Sequence, residues 1–334
     1  MEKTEHGRVV VVTGASAGVG RATIRAFARE GARVGLIARD TEGLHAATRE
    51  VDELGGKGLA APADVADADQ VESAAARIES ELGPIDVWVN NAMTTVFARV
   101  ADTTPAEFKR VTEVTYLGTV WGTMAALRRM LPRDAGIIIQ VGSALAYRSI
   151  PLQSAYCSAK HAIAGFTDSL RTELIHDRRN IHLTMVQLPA MNTPQFTWCR
   201  AKMPRHPQPV PPIFQPEVAA ERIVWASHHR RREVFVGAPT IVAIEGNKIA
   251  PALADHYLGR TGFDSQQTQD PLSPGRRDNL FEPLPGDFGA HGAFDKEAVN
   301  AVGRTWIGAH KGTTLIAGAT VFGALAFALK PRPS

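Results

Sequence analysis

The chain has 334 residues, 44% apolar and 21% charged, with a formal net charge of +3. That length holds one large α/β domain plus an appendage, and so small a charge excess excludes an electrostatic case for a nucleic-acid partner. The two cysteines, Cys157 and Cys199, form no CxxC and no spaced His/Cys cluster, which argues against a disulfide framework and a metal site and fits a reducing, cytoplasmic compartment.

The opening residues, Met1 to His6, lack an apolar core, so no secretory signal is expected. Val9 to Val12 are four β-branched residues in a row, the pattern of a strand buried on both faces. Gly14, Gly18 and Gly20 follow, and a helix is predicted from Arg21 to Glu30, ended by Gly31. A strand, a glycine turn and a helix N-terminus together make an anion site, because unpaired N–H groups and the helix dipole point at the turn. A second strand is predicted at Ala32–Ala38, a third at Gly58–Pro62, a fourth at Ile85–Asn90, a fifth at Gly136–Gly142 and a sixth at Ile181–Leu188. Helices are predicted between them at Glu42–Leu54, Gln70–Leu82, Pro105 to about Met130, and Ser154–Arg178. A helix at Pro216–His229 and a strand at Glu233–Val236 complete the set. This alternation specifies an α/β, doubly wound parallel sheet of about seven strands, with its ligand at the carboxyl ends.

Polar residues fall at those ends. After the second strand, Ala38 leaves room and Arg39 supplies a guanidinium suited to a ribose 2′-phosphate; the alternatives are an exposed arginine and a helix-capping role for Asp40. After the third strand, Asp64 suits an adenine amino group or the start of the next helix. Asn90-Asn91-Ala92 puts two amides beside the glycine turn, one to tie it and one to face a ligand. The fifth strand ends at Ser143. Tyr156 and Lys160 are four apart and share a helix face, where an ammonium would lower the phenol's pKa, unless the pair is merely a surface face.

Taken in this order and spacing, Thr13-Gly14-x-x-x-Gly18-x-Gly20, Asp64, Asn90-Asn91-Ala92, Ser143, Tyr156-x-x-x-Lys160 and Pro189 resemble the short-chain dehydrogenase/reductase family and its Rossmann fold. The likeness runs from about Arg8 to Gly237, the expected catalytic domain (1–237). It implies that Gly14, Gly18 and Gly20, with Ser16 and Val19, bind a cofactor diphosphate. It implies that Asp64, Val65, Asn91, Ala92, Pro189 and Thr193 line the dinucleotide site. It makes Tyr156 the general acid–base, Lys160 the ligand of the nicotinamide ribose, and Ser143 the holder of the substrate oxygen. Arg39 after Ala38 is similar to members that use NADP (NADPH). Three positions depart from the family pattern: Met93 replaces a glycine, Thr115 stands where an asparagine helps hold a relay water, and Ala190 follows Pro189 in place of glycine. Thr115 remains a catalytic candidate.

Residues 190–215 read as a substrate lid, with six prolines from Pro194 to Pro212. Met93, Leu145 and Met191, with Tyr147, Leu152, Phe196 and Trp198, predict an apolar pocket for a small hydrophobic carbonyl or alcohol; ordinary core is the alternative. Residues 238–311 read as a C-terminal extension, helix-like from Thr240 to Leu258 and then extended from Gly259 to about Ala309, wrapped on the domain or on a partner subunit. The uncharged stretch within 312–330, flanked by Lys311 and Lys330, leans to a membrane anchor over a buried helix at a subunit contact. The resemblance also implies a homodimer or homotetramer. The reading that leads is an NADP(H)-dependent oxidoreductase; the alternative is a nucleotide-binding sensor or membrane-associated scaffold without turnover.

Overall fold

Val9, Val10, Val11 and Val12 are all fully buried, because strand β1 (Val9–Thr13) has a paired strand on each side and helices over each face. Side chains alternate across a strand. Val10 and Val12 therefore enter one apolar layer with Ile24, Phe27 and Leu44, while Val9 and Val11 enter the other with Ile78, Trp88 and Met130. The structure, a computed structural model, describes residues 7–300.

The other strands of the sheet are β2 (Arg33–Ala38), β3 (Lys57–Pro62), β4 (Val87–Asn90), β5 (Gly136–Ser143), β6 (Ile181–Leu188) and β7 (Glu233–Phe235). All pairings are parallel, in the order β7-β6-β5-β4-β1-β2-β3. The strand order reverses beside β1, and a doubly wound sheet opens its crevice there, at the carboxyl ends. The crossover helices are α1 (Gly18–Ala28), α2 (Thr41–Glu53), α3 (Ala68–Leu82), α4 (Pro105–Val111), α5 (Gly118–Met130), α6 (Ser154–His176) and α8 (Pro216–His228), with the short α7 (Gln195–Trp198) in the lid segment.

Three elements differ from the sequence reading. Helix α1 begins at Gly18, three residues before the predicted Arg21, because the second and third glycines of the turn already belong to its first turn. The helix predicted from Pro105 to Met130 is not uniform: α4 and α5 are joined by a π-helical segment, Thr112–Leu117. The predicted 240–258 helix is two, α9 (Ala238–Ile249) and α10 (Pro251–Thr261). Pro251 lacks the N–H needed to continue and pushes Ala250 out of the helical region, to φ −140°.

Beyond α10 the chain returns over the carboxyl end of the sheet. Gln267–Pro271 pairs antiparallel with Arg205–Pro207 of the lid segment, and Ala298–Val299 pairs parallel with Ile213–Phe214. Between these two anchors, residues 276–295 form a strap across the cleft. Among the described residues no helix is long and apolar enough to cross a membrane. The apolar stretch 312–330, read as an anchor, lies outside the described residues.

Candidate active site

The glycine turn is built by close approach. Gly14 has φ +67°, and a Cβ there would stand 2.9 Å from the Ala92 Cα. A Cβ on Gly20 would stand 2.0 Å from the carbonyl oxygen of Gly14, so only glycine lets the helix start so near the strand end. Asn91 ties the turn to β4: its Nδ2 donates to the carbonyls of Thr13 at 3.0 Å and Gly14 at 3.3 Å, and the N–H groups of Asn91 and Ala92 both donate to Thr13 Oγ1. The neighbouring Asn90 does not face the cleft. Its Nδ2 donates to Thr123 Oγ1 and Gln140 Oε1 and its Oδ1 accepts from Trp88 Nε1, so it cross-links β4, β5 and α5 inside the core.

A cavity of about 490 Å³ opens above this turn. Gly14, Ser16, Gly18, Val19, Arg39, Asp64, Val65, Asn91 and Ala92 line one end. Ser143, Tyr156 and Lys160 line the other, with Pro189 and Thr193 at the carboxyl end of β6. Gly20 supports the turn from behind. Met93, Leu145, Met191, Phe196 and Trp198 supply an apolar wall, and Gln208 to Pro212 of the lid segment close it. Two pocket candidates fall elsewhere. Leu152 packs with Phe97, Phe196, Cys199 and Met203, and Tyr147 gives its hydroxyl to Glu233.

β5 delivers Ser143, and α6 presents Tyr156 and Lys160 one turn apart, as their spacing requires. Lys160 is buried; its Nζ donates to the Val141 carbonyl at 2.7 Å and stands 5.5 Å from the centre of the Tyr156 ring. Burial pushes the Tyr156 phenol above its ordinary pKa, and the hydrogen bond with Ser143 pulls it back only in part. Burial lowers the Lys160 ammonium to about 8. The expected direction for Tyr156 is therefore corrected. The ammonium is turned to a backbone carbonyl and is itself disfavoured by burial, so it does not drag the phenol down.

Thr115 is fully buried, donates its hydroxyl to the Thr94 carbonyl at 3.0 Å and accepts from the Thr94 N–H at 3.1 Å. Its own carbonyl accepts from Thr119 Oγ1. The hydroxyl is committed to backbone and does not reach the cleft, which corrects its reading as a water holder. Asp40 takes its alternative role, capping α2 through the N–H groups of Glu42 and Gly43. Asp64 bonds Arg110 Nη2 at 2.5 Å and caps the Ala66 N–H. Arg39 donates Nη1 to the Phe281 carbonyl at 2.7 Å and Nη2 to the Asn279 carbonyl at 2.6 Å. The sequence reading had the extended 259–309 segment wrap on the domain or on a partner subunit, but it missed Arg110 and the meeting of residues 276–295 with Arg39, because only the tertiary fold brings α4 and that segment to the end of β2.

A parallel doubly wound sheet thus carries a glycine turn facing a Ser–Tyr–Lys set across one cleft. Residues 8–203 match the family model described as short chain dehydrogenase, and the chain belongs to that family. It is 32% identical over 279 residues to the uncharacterized oxidoreductase YxnA of Bacillus subtilis (strain 168), covering 82% of this chain and 78% of that protein. Among solved structures it is similar to a variant of actinorhodin polyketide ketoreductase with NADPH, at 26% identity and TM-score 0.62, covering 69% of this chain and 95% of that one. It is likewise similar to an alcohol dehydrogenase from the archaeon Thermococcus sibiricus complexed with 5-hydroxy-NADP, at 26% identity and TM-score 0.59, covering 69% and 96%.

Proposed function

We propose that the protein is an NADP(H)-dependent short-chain dehydrogenase/reductase that interconverts a hydrophobic ketone or aldehyde and its alcohol. The observation that carries this is that Ser143, Tyr156 and Lys160 line the same cavity as the glycine turn. The residues present suit a dinucleotide. The turn lines the cavity with Gly14 and Gly18, which put no side chain in the way of a diphosphate at the start of α1, and Arg39 forms no salt bridge among the described residues, so its charge is open to a phosphate. The complexes of the two similar structures with NADP-type cofactors support the same choice.

The chemistry a bound nicotinamide would supply here is hydride transfer to or from the substrate carbon. Tyr156, held protonated by its burial, donates the phenolic proton to the carbonyl oxygen in the reducing direction and takes it back in the oxidising one. Ser143 holds that oxygen beside the phenol. Lys160 would hold the nicotinamide ribose, and its ammonium, 5.5 Å from the Tyr156 ring, supplies positive charge near the phenol as proton transfer proceeds. The wall of Met93, Leu145, Met191, Phe196 and Trp198 favours an apolar substrate. Self-association through the helices after β4 and β5 belongs to the same proposal; Phe108 and Met124, exposed on α4 and α5, are in keeping with it.

The test is turnover with NADPH and with NADH across a panel of lipophilic ketones and aldehydes. We expect activity that favours NADPH, and an Arg39→Ala variant that loses that preference by about tenfold or more. NADPH binding without turnover on any member of the panel would overturn the reading in favour of a sensor.

A further inference from the structure

We propose that the strap, residues 276–295, is the outer wall of the adenosine end of the cavity and that it sets the preference for a 2′-phosphate by positioning Arg39. The inference rests on the reading of the cavity as an NADP(H) site. The strap lies outside the 8–203 region matched by the family model, so it is an addition to the common fold.

Three consecutive strap carbonyls grip two arginines. Asn279 O accepts from Arg39 Nη2, Leu280 O from Arg110 Nε at 3.0 Å, and Phe281 O from Arg39 Nη1. The Leu280 side chain between them is fully buried with Val96, Val111 and Ala155, against the Tyr156 ring. Farther on, Asp287 meets the buried Arg21 at 3.2 Å, and the Gly289 carbonyl accepts the N–H of Gly18 at the start of α1. Asn279, Leu284, Gly286 and Phe288 face the cavity itself. The strap thus touches the glycine turn, the end of β2 and the catalytic helix at once.

The chemistry follows from which atoms it uses. A guanidinium has five N–H donors, and the strap takes one on each terminal nitrogen of Arg39, leaving three. Carbonyls fix the plane of the group without neutralising it. Two carboxylates act on it from nearby: Asp64 is held by Arg110, and Glu282, on the strap, makes no ion pair with it among the described residues. Arg39 is therefore an oriented cation whose side-chain entropy is already spent before a phosphate arrives. A dinucleotide lacking the 2′-phosphate draws no benefit from that arrangement.

The test uses the full chain with Leu280→Ala, which removes the buried anchor, and Asp278→Ala, which removes the carboxylate that accepts from the Leu280 N–H and pairs with Arg200 but leaves Leu280 in place. Dissociation constants for NADPH, NADH and adenosine 2′,5′-bisphosphate are measured by calorimetry, with amide exchange over the strap. Expected are a loss of about tenfold or more for NADPH and for the bisphosphate, a loss of under about threefold for NADH, and slowed strap exchange when the bisphosphate binds wild type. Equal losses for the two dinucleotides would mean a merely structural strap, and tighter binding would mean an obstructing one; either overturns the proposal. Strap-dependent, phosphate-selective binding without carbonyl turnover would sink the catalytic reading and leave this one standing. Turnover with strap-insensitive binding would do the reverse.

Discussion

Lys160 carries a cost that can be measured. Its folded-state pKa of about 8 lies below the ordinary lysine value of 10.5, because burial disfavours the ammonium. Between those values the unfolded chain holds a proton that the native protein has released. Stability of the cofactor-free protein should therefore rise with pH from about 8 to 10.5, and the penalty should be fully present below 8. In Lys160→Met this slope disappears. The gap between wild type and variant, read by denaturant unfolding across that range, should shift in favour of wild type by on the order of 3 kcal/mol. A gap that stays constant with pH would contradict the assignment. At this scale spacing was enough to place Gly14, Gly18, Ser143, Tyr156 and Lys160 on one cavity. It was silent where a role depends on a distant partner. Asn90 and Asn91 are adjacent and identical, yet one ties the turn and the other cross-links the core. Thr115 sits at the expected place in its helix, but Thr94 claims its hydroxyl.

The elements that bound the cleft are joined by Glu107, at the start of α4. It completes a capping box with Thr104 and also bonds Lys202 Nζ at 2.8 Å and Arg200 Nη1 at 3.2 Å. Those two cations belong to the lid segment, so one buried carboxylate pins the lid to the helix that carries Arg110. Burial alone would raise its pKa, but Lys202, Thr104 and Arg200 prevail and hold it at about 2. A depressed carboxyl contributes stability that is present above about pH 4.5 and is lost as pH falls toward 2. Glu107→Gln should cost about 2–4 kcal/mol at neutral pH and should flatten the acid limb of the stability curve. A variant as stable as wild type at pH 7 would refute the clamp. Sequence periodicity locates α4 and α5 but gives no sign of the π segment between them, since its one glycine neighbour, Gly118, stands at its end and no proline or glycine lies within it. The α9–α10 break, by contrast, has its cause in Pro251, which the reading of 240–258 as one helix passed over.

Over the whole molecule, the alternation of strands and helices was enough to give the sheet and the side on which the cavity opens. The path of residues 276–295 was not readable, because their order comes from contacts with Arg39, Arg110, Arg21 and Asn192 and not from any repeat of their own. That path turns an open crevice into one cavity joining the phosphate-type turn to the Ser–Tyr–Lys set. The most direct measurement is the initial rate of NADPH oxidation with an accepted lipophilic carbonyl, for wild type and Tyr156→Phe side by side at equal cofactor saturation. The expected result is a fall in kcat of about 10²-fold or more, with NADPH affinity kept within a few-fold. An unchanged rate would contradict it.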